Sequence, residues 1–482
     1  MKLSDLSAGY PARIIGGEVD IAQIAYDSRE VAPGALFFCV SGLTHDGHDF
    51  LPSAIDQGAV AAVVERPLDV EVPQVVVGSV REALAPMAAR FYGDPTARLI
   101  LVGVTGTNGK TTTTFILDSI LRRAGFKTGL VGTVEYRIGD RVLPVTRTTP
   151  EGADLQKLFR EMVDEGIEAV AMEVSSHAID LHRVDACDFD VLVFTNLTQD
   201  HLDYHRTMEE YAQAKKAVFD RGARRGHVVN IDDDLGRRIV AECGAHVTYG
   251  LERKADLVAR DIELGAGGAT FEVAGLNLNV KVRSPLRGAF NVYNSLAAAG
   301  AGVVMGIEAR AIAEGLEGVS QVPGRFESVE VGQPFSVLVD YAHTPDSLAQ
   351  AIAAARRITP GRLIVVFGCG GDRDVAKRPL MGREAAEGSD VCIITSDNPR
   401  SERPESITAQ IEVGAKSVAN ARCEVIIDRR EAIGRALSLA EPNDTVLIAG
   451  KGHEAGQQFA DRTVPFDDRI VARQELHKAW SP

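Results

Sequence analysis

Four apolar residues, Leu99-Ile100-Leu101-Val102, run straight into Gly103-Val104-Thr105-Gly106-Thr107-Asn108-Gly109-Lys110-Thr111-Thr112, and a helical pattern follows. No other segment restricts the fold as much. The apolar run suits a strand buried on both faces. The glycines let the backbone curl so that several N–H groups face one point, and the helix that follows adds partial positive charge there. Lys110 supplies a full charge, and the Thr111 hydroxyl can ligate Mg²⁺. Strand, glycine-rich loop and helix in that order form a P-loop, so a nucleoside triphosphate, with ATP preferred, is expected on Gly106, Thr107, Asn108, Gly109, Lys110, Thr111 and Thr112. A strict Walker A motif has Gly where this chain has Val104, so the motif is a variant. The bland alternative is a glycine-rich turn with an exposed lysine.

At 482 residues the chain exceeds one ordinary domain, and roughly 150 residues per domain suggests about three. Hydrophobic residues at 45% and charged residues at 25% fit a globular protein. The net charge of −15 and the lack of a basic run argue against a nucleic-acid binder. The first residues do not read as a signal peptide, and apolar stretches such as Ala59 to Val64 fall far short of the roughly 20 residues of a membrane span. Six scattered cysteines with no CxxC read as reduced thiols, so a cytoplasmic protein without a membrane partner is expected.

Three segments follow from the pattern. In residues 1–97, strand-like runs (Leu36 to Val40, Val60 to Val64, Val75 to Val77) precede a helical stretch, Arg81 to Tyr92, and the breaker Gly93-Asp94-Pro95. In 98–330, Leu99 to Val102, Ala169 to Val174, Val191 to Thr195 and Val228 to Ile231 alternate with helical patterns, which implies a parallel sheet. Residues 257–283 read as an antiparallel appendage, and an Ala-rich helical stretch runs from Asn291 toward Val322. In 331–482, Val337 to Val339, Leu363 to Phe367, Val391 to Thr395, Val425 to Ile427 and Val446 to Ala449 form a second α/β unit.

Mg²⁺ takes hard oxygen ligands. Glu173 closes the strand pattern after the loop, where an acid of a P-loop sheet faces the metal. Thr195 to His205 follows another strand and holds two Asp and two His, among them His201, within eleven residues. Tyr211-Ala212-Gln213-Ala214-Lys215 comes next. Singly, each His could be a surface or capping residue, but strand ends of one sheet converge on one crevice.

Taken together, these motifs resemble the Mur ligase family, the cytoplasmic amide-forming enzymes of peptidoglycan synthesis. The resemblance runs in order through Asp27-Ser28-Arg29, the Gly106 to Thr112 loop, Thr148-Thr149-Pro150, Glu173 to His177, Asn196 to His205 and Gly288 to Asn291. It continues through Pro323-Gly324-Arg325, Asp340 to Pro345, Gly368 to Asp374 and Gly450-Lys451-Gly452-His453-Glu454. It implies three α/β domains: an N-terminal UDP-binding domain, a central P-loop parallel-sheet ATPase domain and a C-terminal Rossmann-like domain. Asp397-Asn398-Pro399-Arg400 resembles the branch that adds meso-diaminopimelate. Diaminopimelate has a distal carboxylate that lysine lacks, and a guanidinium can pair with it through two hydrogen bonds.

The resemblance implies that ATP phosphorylates the free carboxylate of UDP-N-acetylmuramoyl-L-alanyl-D-glutamate and that the amine of diaminopimelate attacks the acyl phosphate. Lys110 and the loop would hold the phosphates, with Asn291, Arg325 and Asp340 at nucleotide positions. Thr111 and Glu173 would hold one Mg²⁺, and Glu173, His201 and Lys215 a second. Lys215 would carry a CO₂-derived carbamate, which removes the repulsion between an ammonium and Mg²⁺; its neighbour Lys216 is the alternative. Ser28 and the Leu43-Thr44-His45 region would meet the uridine nucleotide. Thr148, Thr149, Ser175 and Arg183 would meet the muramoyl peptide, where Arg147 and Leu181 depart from the pattern. Arg373, Asp397, Asn398, Pro399, Arg400, Gly450 and Glu454 would form the amino-acid site, with Glu454 facing the distal ammonium. A monomer is implied. The alternatives are a lysine-adding or other ligase of the family, its folylpolyglutamate synthetase relatives, a simple NTPase switch, or a non-catalytic scaffold.

Overall fold

The computed structural model describes residues 1–42 and 45–480. The chain divides into two compact units, one of residues 1–105, 126–192 and 217–226, the other of 106–125, 193–216 and 227–482.

The first unit contains, among its described residues, a five-stranded sheet in the order Ala12–Ile15, Gln74–Val77, Ala59–Val64, Ala35–Phe38, Gln23–Ala25. All neighbours are parallel except Ala12–Ile15, which runs antiparallel to Gln74–Val77. Apolar side chains cover both faces. Leu36, Phe38, Val63 and Val75 pack with the helix Val80–Phe91, and Phe37, Ala62 and Val64 pack with Leu51 and Ala54. That helix starts where expected because the Ser79 hydroxyl accepts from the Glu82 N–H.

The same unit holds three parallel strands in the order Ile100–Thr105, Ala169–Glu173, Thr128–Val131, then the antiparallel hairpin Tyr136–Ile138 and Arg141–Leu143. Residues Ala169–Glu173 are buried throughout, as a strand covered on both faces must be. Glu173 pairs with Val104, so its carboxylate stands level with the strand end that runs into the phosphate loop.

In the second unit the helix Lys110–Arg123 packs beside Ala289–Val304 and Ala309–Glu317. The Ala-rich stretch is therefore two helices, separated at Gly306, whose φ of +75° ends the first. Val247–Gly250 pairs in parallel with Gly226–Asn230 and with Leu257–Gly265. The last of these opens the expected antiparallel appendage with Gly268–Gly275 and Leu278–Ser284.

The C-terminal sheet runs Glu327–Ser328, Ser336–Asp340, Thr445–Ala449, Leu363–Phe367, Val391–Ile394, Cys423–Val425 among the described residues. All pairs but the first are parallel, and helices cover both faces. Its edge strand lies two residues before the expected Val425 to Ile427. Asp428 caps the next helix by accepting from the Glu431 N–H, which ends the strand early. Ile426 still donates to the Ile394 carbonyl at 2.9 Å.

Behind this sheet, Arg429 and Asp468 form an ion pair with no exposed side-chain surface. Arg429 also donates to the Ala449 carbonyl at 2.9 Å and to that of Ser396 at 3.4 Å, so one guanidinium holds two strand ends and the last helix.

Candidate functional site

The second unit carries the phosphate loop. Gly109, at φ +86°, is the residue before the helix, and a side chain there would run into the Asn294 carboxamide. A side chain at Gly106 would strike the Thr195 hydroxyl. The segment after the strand Val191–Phe194 clamps the loop. Thr107 N–H donates to the Asn196 carbonyl at 2.8 Å, Asn108 N–H to the Asn196 side chain at 2.9 Å, and the Thr195 hydroxyl to the Asn108 carbonyl at 2.6 Å. Lys110 Nζ curls back to the carbonyls of Gly106 and Thr107, both at 2.8 Å.

Lys215, on the helix Met208–Asp220, is buried beneath this loop. Its Nζ donates to the Gly106 carbonyl at 2.9 Å and lies 4.6 Å from the centroid of the Tyr211 ring. Burial, then the charge of Lys110, pulls its pKa well below the ordinary lysine value, against a smaller opposing effect of Asp200. Lys216 instead pairs with Glu242 at 3.0 Å, so the geometry separates the two lysines.

His201 has a left-handed backbone at φ +55° and its Nε2 lies 3.4 Å from Asp200. Asp200 is also 3.7 Å from His343 Nε2. Burial pushes the Asp200 carboxyl up, but the hydrogen bond and charge of His343, with His201 and Lys377, outweigh it and hold the pKa well below the usual range.

Arg325 donates to the Thr111 hydroxyl at 2.9 Å and stacks over Tyr341. Asp340 accepts from the N–H groups of Phe326 and Ala342, and burial raises its pKa despite Arg325. Asn291 is engaged locally, donating to the Arg287 carbonyl and accepting from Asn294.

In the C-terminal part, Lys451 Nζ bridges Asn398 Oδ1 at 2.9 Å and Glu454 at 3.0 Å, and Asn398 Nδ2 donates to Glu454 at 2.8 Å. Asp397 is buried; burial raises its carboxyl but Lys451 and Arg429 lower it further, leaving it below the ordinary value. Gly450, at φ +114°, leaves room for it: a side chain there would come within 2.7 Å of Asp397 Oδ2. Arg400 has φ +50° and donates to the Gly371 carbonyl at 2.6 Å. The Pro399 carbonyl accepts from the Glu402 N–H. Arg373 is half exposed, 3.5 Å from Asp203.

The first unit gathers the other expected residues. Glu173 accepts from Thr133 N–H at 2.7 Å and from its hydroxyl at 3.0 Å, and that hydroxyl meets Thr148 at 3.0 Å. Thr149 donates to the Glu173 carbonyl at 2.8 Å and accepts from Ser175 N–H at 3.1 Å. Arg183 pairs with Glu151 at 2.7 Å and donates to the Thr149 carbonyl at 3.2 Å. Arg147 reaches the same Glu151 at 3.3 Å, while Leu181 caps the helix Ser176–Asp180. Ser28 opens a 3-10 turn just beyond Tyr26, whose hydroxyl donates to Asp154 at 2.6 Å. Leu43 and Thr44 lie outside the described residues.

The expected metal set takes Glu173 from the first unit and Thr111, His201 and Lys215 from the second. Among the described residues no three His, Cys, Asp or Glu side chains gather as a metal-ligand set. Sequence reasoning assigned no role to Glu151, Asp200, Tyr211, His343 or Lys451. Each stands inside or beside a quoted motif, and each also has a partner far along the chain: Arg183 for Glu151, His343 for Asp200, Thr107 for Tyr211 and Asn398 for Lys451.

Three family matches cover the chain in order: the Mur ligase family catalytic domain over residues 20–92, the Mur ligase middle domain over 104–302, and the Mur ligase glutamate ligase domain over 324–452. The chain is 50% identical to a UDP-N-acetylmuramoyl-L-alanyl-D-glutamate--2,6-diaminopimelate ligase of Geobacillus thermodenitrificans, over 98% of this chain and 99% of that protein. A protein of the same name from Caldanaerobacter subterraneus is 47% identical over 99% of each. A solved structure of such a ligase is 32% identical, with a TM-score of 0.69 and 95% of each chain covered. The MurF ligase of Thermotoga maritima in complex with ADP, at 21% identity and a TM-score of 0.67 over 95% of this chain and 98% of that one, shares the fold.

Proposed function

This chain belongs to the Mur ligase family, and from that premise we propose that it adds meso-2,6-diaminopimelate to UDP-N-acetylmuramoyl-L-alanyl-D-glutamate, forming ADP and phosphate, in peptidoglycan synthesis. The observation that carries the reading is the setting of Arg400. Its backbone is held at φ +50° and its guanidinium sits on the Gly371 carbonyl, in the motif Asp397-Asn398-Pro399-Arg400. A fixed guanidinium suits the distal carboxylate that distinguishes diaminopimelate from lysine, and lysine would leave that charge unanswered.

A carboxylate is a poor electrophile, and phosphorylation gives it a leaving group. Lys110 and the remaining N–H groups of the loop hold the β and γ phosphates of ATP, and an oxygen of the D-glutamyl carboxylate attacks the γ phosphorus as ADP leaves. Thr148, Thr149, Ser175 and Arg183 orient the muramoyl peptide, and Ser28 its uridine end. The amine of diaminopimelate, placed by Arg373, Asn398, Arg400 and Glu454, attacks the acyl carbon. The tetrahedral intermediate loses phosphate and a proton to leave the amide. Because Glu454 already answers Lys451, the distal ammonium meets a carboxylate set in a network.

Thr111 and Glu173 offer oxygen donors of the kind Mg²⁺ takes and would hold one ion, and Glu173 would serve a second beside His201. Lys215 fits only once its charge is removed, and its burial beside Lys110 favours the free amine. That amine would add to CO₂, releasing a proton and leaving an anionic carbamate whose oxygen would serve the second ion. When bound, Mg²⁺ supplies positive charge against the phosphates.

The proposed division of labour is UDP-sugar binding in 1–97, ATP binding in 98–330 and amino-acid binding in 331–482, in a cytoplasmic monomer. Among the described residues no helix is long and apolar enough to cross a membrane. The test is phosphate release with ATP, the UDP-muramoyl dipeptide and each amino acid in turn. Diaminopimelate should drive turnover, and lysine working as well would overturn the reading.

A further inference from the structure

Arg378 has no exposed side-chain surface, yet it lies outside every role assigned above. It stands in the first turn of the helix Lys377–Gly388. Its two terminal nitrogens grip the Glu402 carboxylate in parallel, NH1 to Oε2 and NH2 to Oε1, both at 2.8 Å. NH1 also donates to Gln410 at 2.8 Å, and NH2 to the Gly370 carbonyl at 3.2 Å. Its Nε, also buried, has no hydrogen-bond partner. Such a buried group is costly unless the geometry it enforces is needed.

What it enforces is the spacing of two loops. Glu402 Oε1 accepts from the Asp372 N–H at 2.7 Å, so the Arg378–Glu402 pair touches residues 370 and 372 on one side and 402 on the other. Between these points the loops are sewn together. Gly371 N–H donates to the Asn398 carbonyl at 2.9 Å, Ser401 N–H to Asp372 at 3.1 Å, and Arg400 to the Gly371 carbonyl at 2.6 Å. The approach is close enough that a side chain on Gly370 would come within 2.8 Å of the Arg400 guanidinium. Asp372 and Arg400 both hold left-handed backbones, at φ +54° and +50°, which non-glycine residues keep only where their surroundings fix them. The hydrogen bonds of Arg378 are the main reason the Glu402 pKa falls to about 2, so that carboxylate stays ionised across the working range.

We propose that Arg378 and Glu402 are positioning residues for amino-acid selection: a pair that sets the distance between the loop carrying Arg373 and the loop carrying Arg400. This rests on the proposed function, because the selected feature is the distal carboxylate of diaminopimelate. Neither residue is assigned a contact with substrate.

The test measures steady-state kinetics of Arg378→Lys and Glu402→Gln with diaminopimelate and with lysine, varying ATP separately. Arg378→Lys keeps the charge but loses the fork, and Glu402→Gln keeps the shape but loses the charge. Both should raise KM for diaminopimelate by roughly tenfold to a hundredfold. They should leave KM for ATP unchanged and narrow the preference for diaminopimelate over lysine. An unaltered KM and preference in a folded Glu402→Gln enzyme overturns the proposal, as does a loss confined to kcat and thermal stability in both variants. If Arg378→Lys fails to fold, the half-exposed Glu402 alone decides. Failure of the wild type to use diaminopimelate instead overturns the functional reading.

Discussion

Lys110 and Lys215 donate to one oxygen, the carbonyl of Gly106, at 2.8 and 2.9 Å. Their nitrogens therefore lie within about 6 Å, where two positive charges repel by about 3 kcal/mol at an effective dielectric near 20. Lys110 is half-buried, whereas Lys215 is buried, so burial first and the charge of Lys110 second pull the Lys215 pKa down.

The lowered pKa leaves a mark on stability. The folded-state pKa of Lys215 is lowered, so between that value and its ordinary 10.5 the unfolded chain binds more protons. The penalty is absent above 10.5, grows as pH falls and levels off below the lowered value. Lys215→Met should therefore melt higher than wild type at pH 7 in CO₂-free buffer, with the gap closing as pH approaches 10.5. Thermal unfolding across that range checks it, and a gap that widens with pH contradicts it.

Lys215→Ala should lose turnover by at least about a hundredfold, the scale of removing one charged group from a reacting site. Short carboxylic acids added to the assay should restore part of it by standing in for the carbamate. A dead enzyme indifferent to acetate or formate argues that the lysine serves as an amine.

Arg400→Asn separates selection from folding. Asn tolerates the left-handed backbone held at φ +50°, so the melting temperature should stay within about 2 °C. The kcat/KM for diaminopimelate should drop by about two orders of magnitude, the scale of removing one partner from a desolvated charge pair. Side-by-side kinetics with lysine should show the preference for diaminopimelate over lysine falling toward unity.

Cys423 and Cys392 are directly paired across two parallel strands, and a hydrogen bond from Cys392 pulls the Cys423 pKa to about 7. Burial pushes Cys39 and Cys369 to about 12. The thiolate is the nucleophile, so iodoacetamide at pH 7.5 should label Cys423 well before those two. Peptide mapping by mass spectrometry reads it, and Cys392→Ala should move the half-reaction pH upward.

The phosphate loop and the strand ending at Glu173 were legible because each is one contiguous stretch whose residue types have one physical use. Lys215 was harder: spacing alone left Lys216 open, and only the helix face, with Glu242 drawing Lys216 away, separates them. Thr128–Val131 was passed over although it is wholly buried, because its four residues include a Gly and a Thr and it is too short for a periodic signal. The Arg378–Glu402 pair spans 24 positions and leaves no local pattern. Glu151 carries no motif signal of its own, and only the fold brings Arg183 to it from 32 positions away.

The sealed pair of Arg429 and Asp468 sets an order of events during synthesis. By the time residue 449 has left the ribosome, every strand of the C-terminal sheet exists. Arg429, whose place is at the ends of two of those strands, still has no counter-charge. Burying it alone costs about 3–5 kcal/mol, enough to consume much of a domain's stability. The sheet therefore stays unsettled until the helix Asp468–Trp480 emerges and brings Asp468 to it.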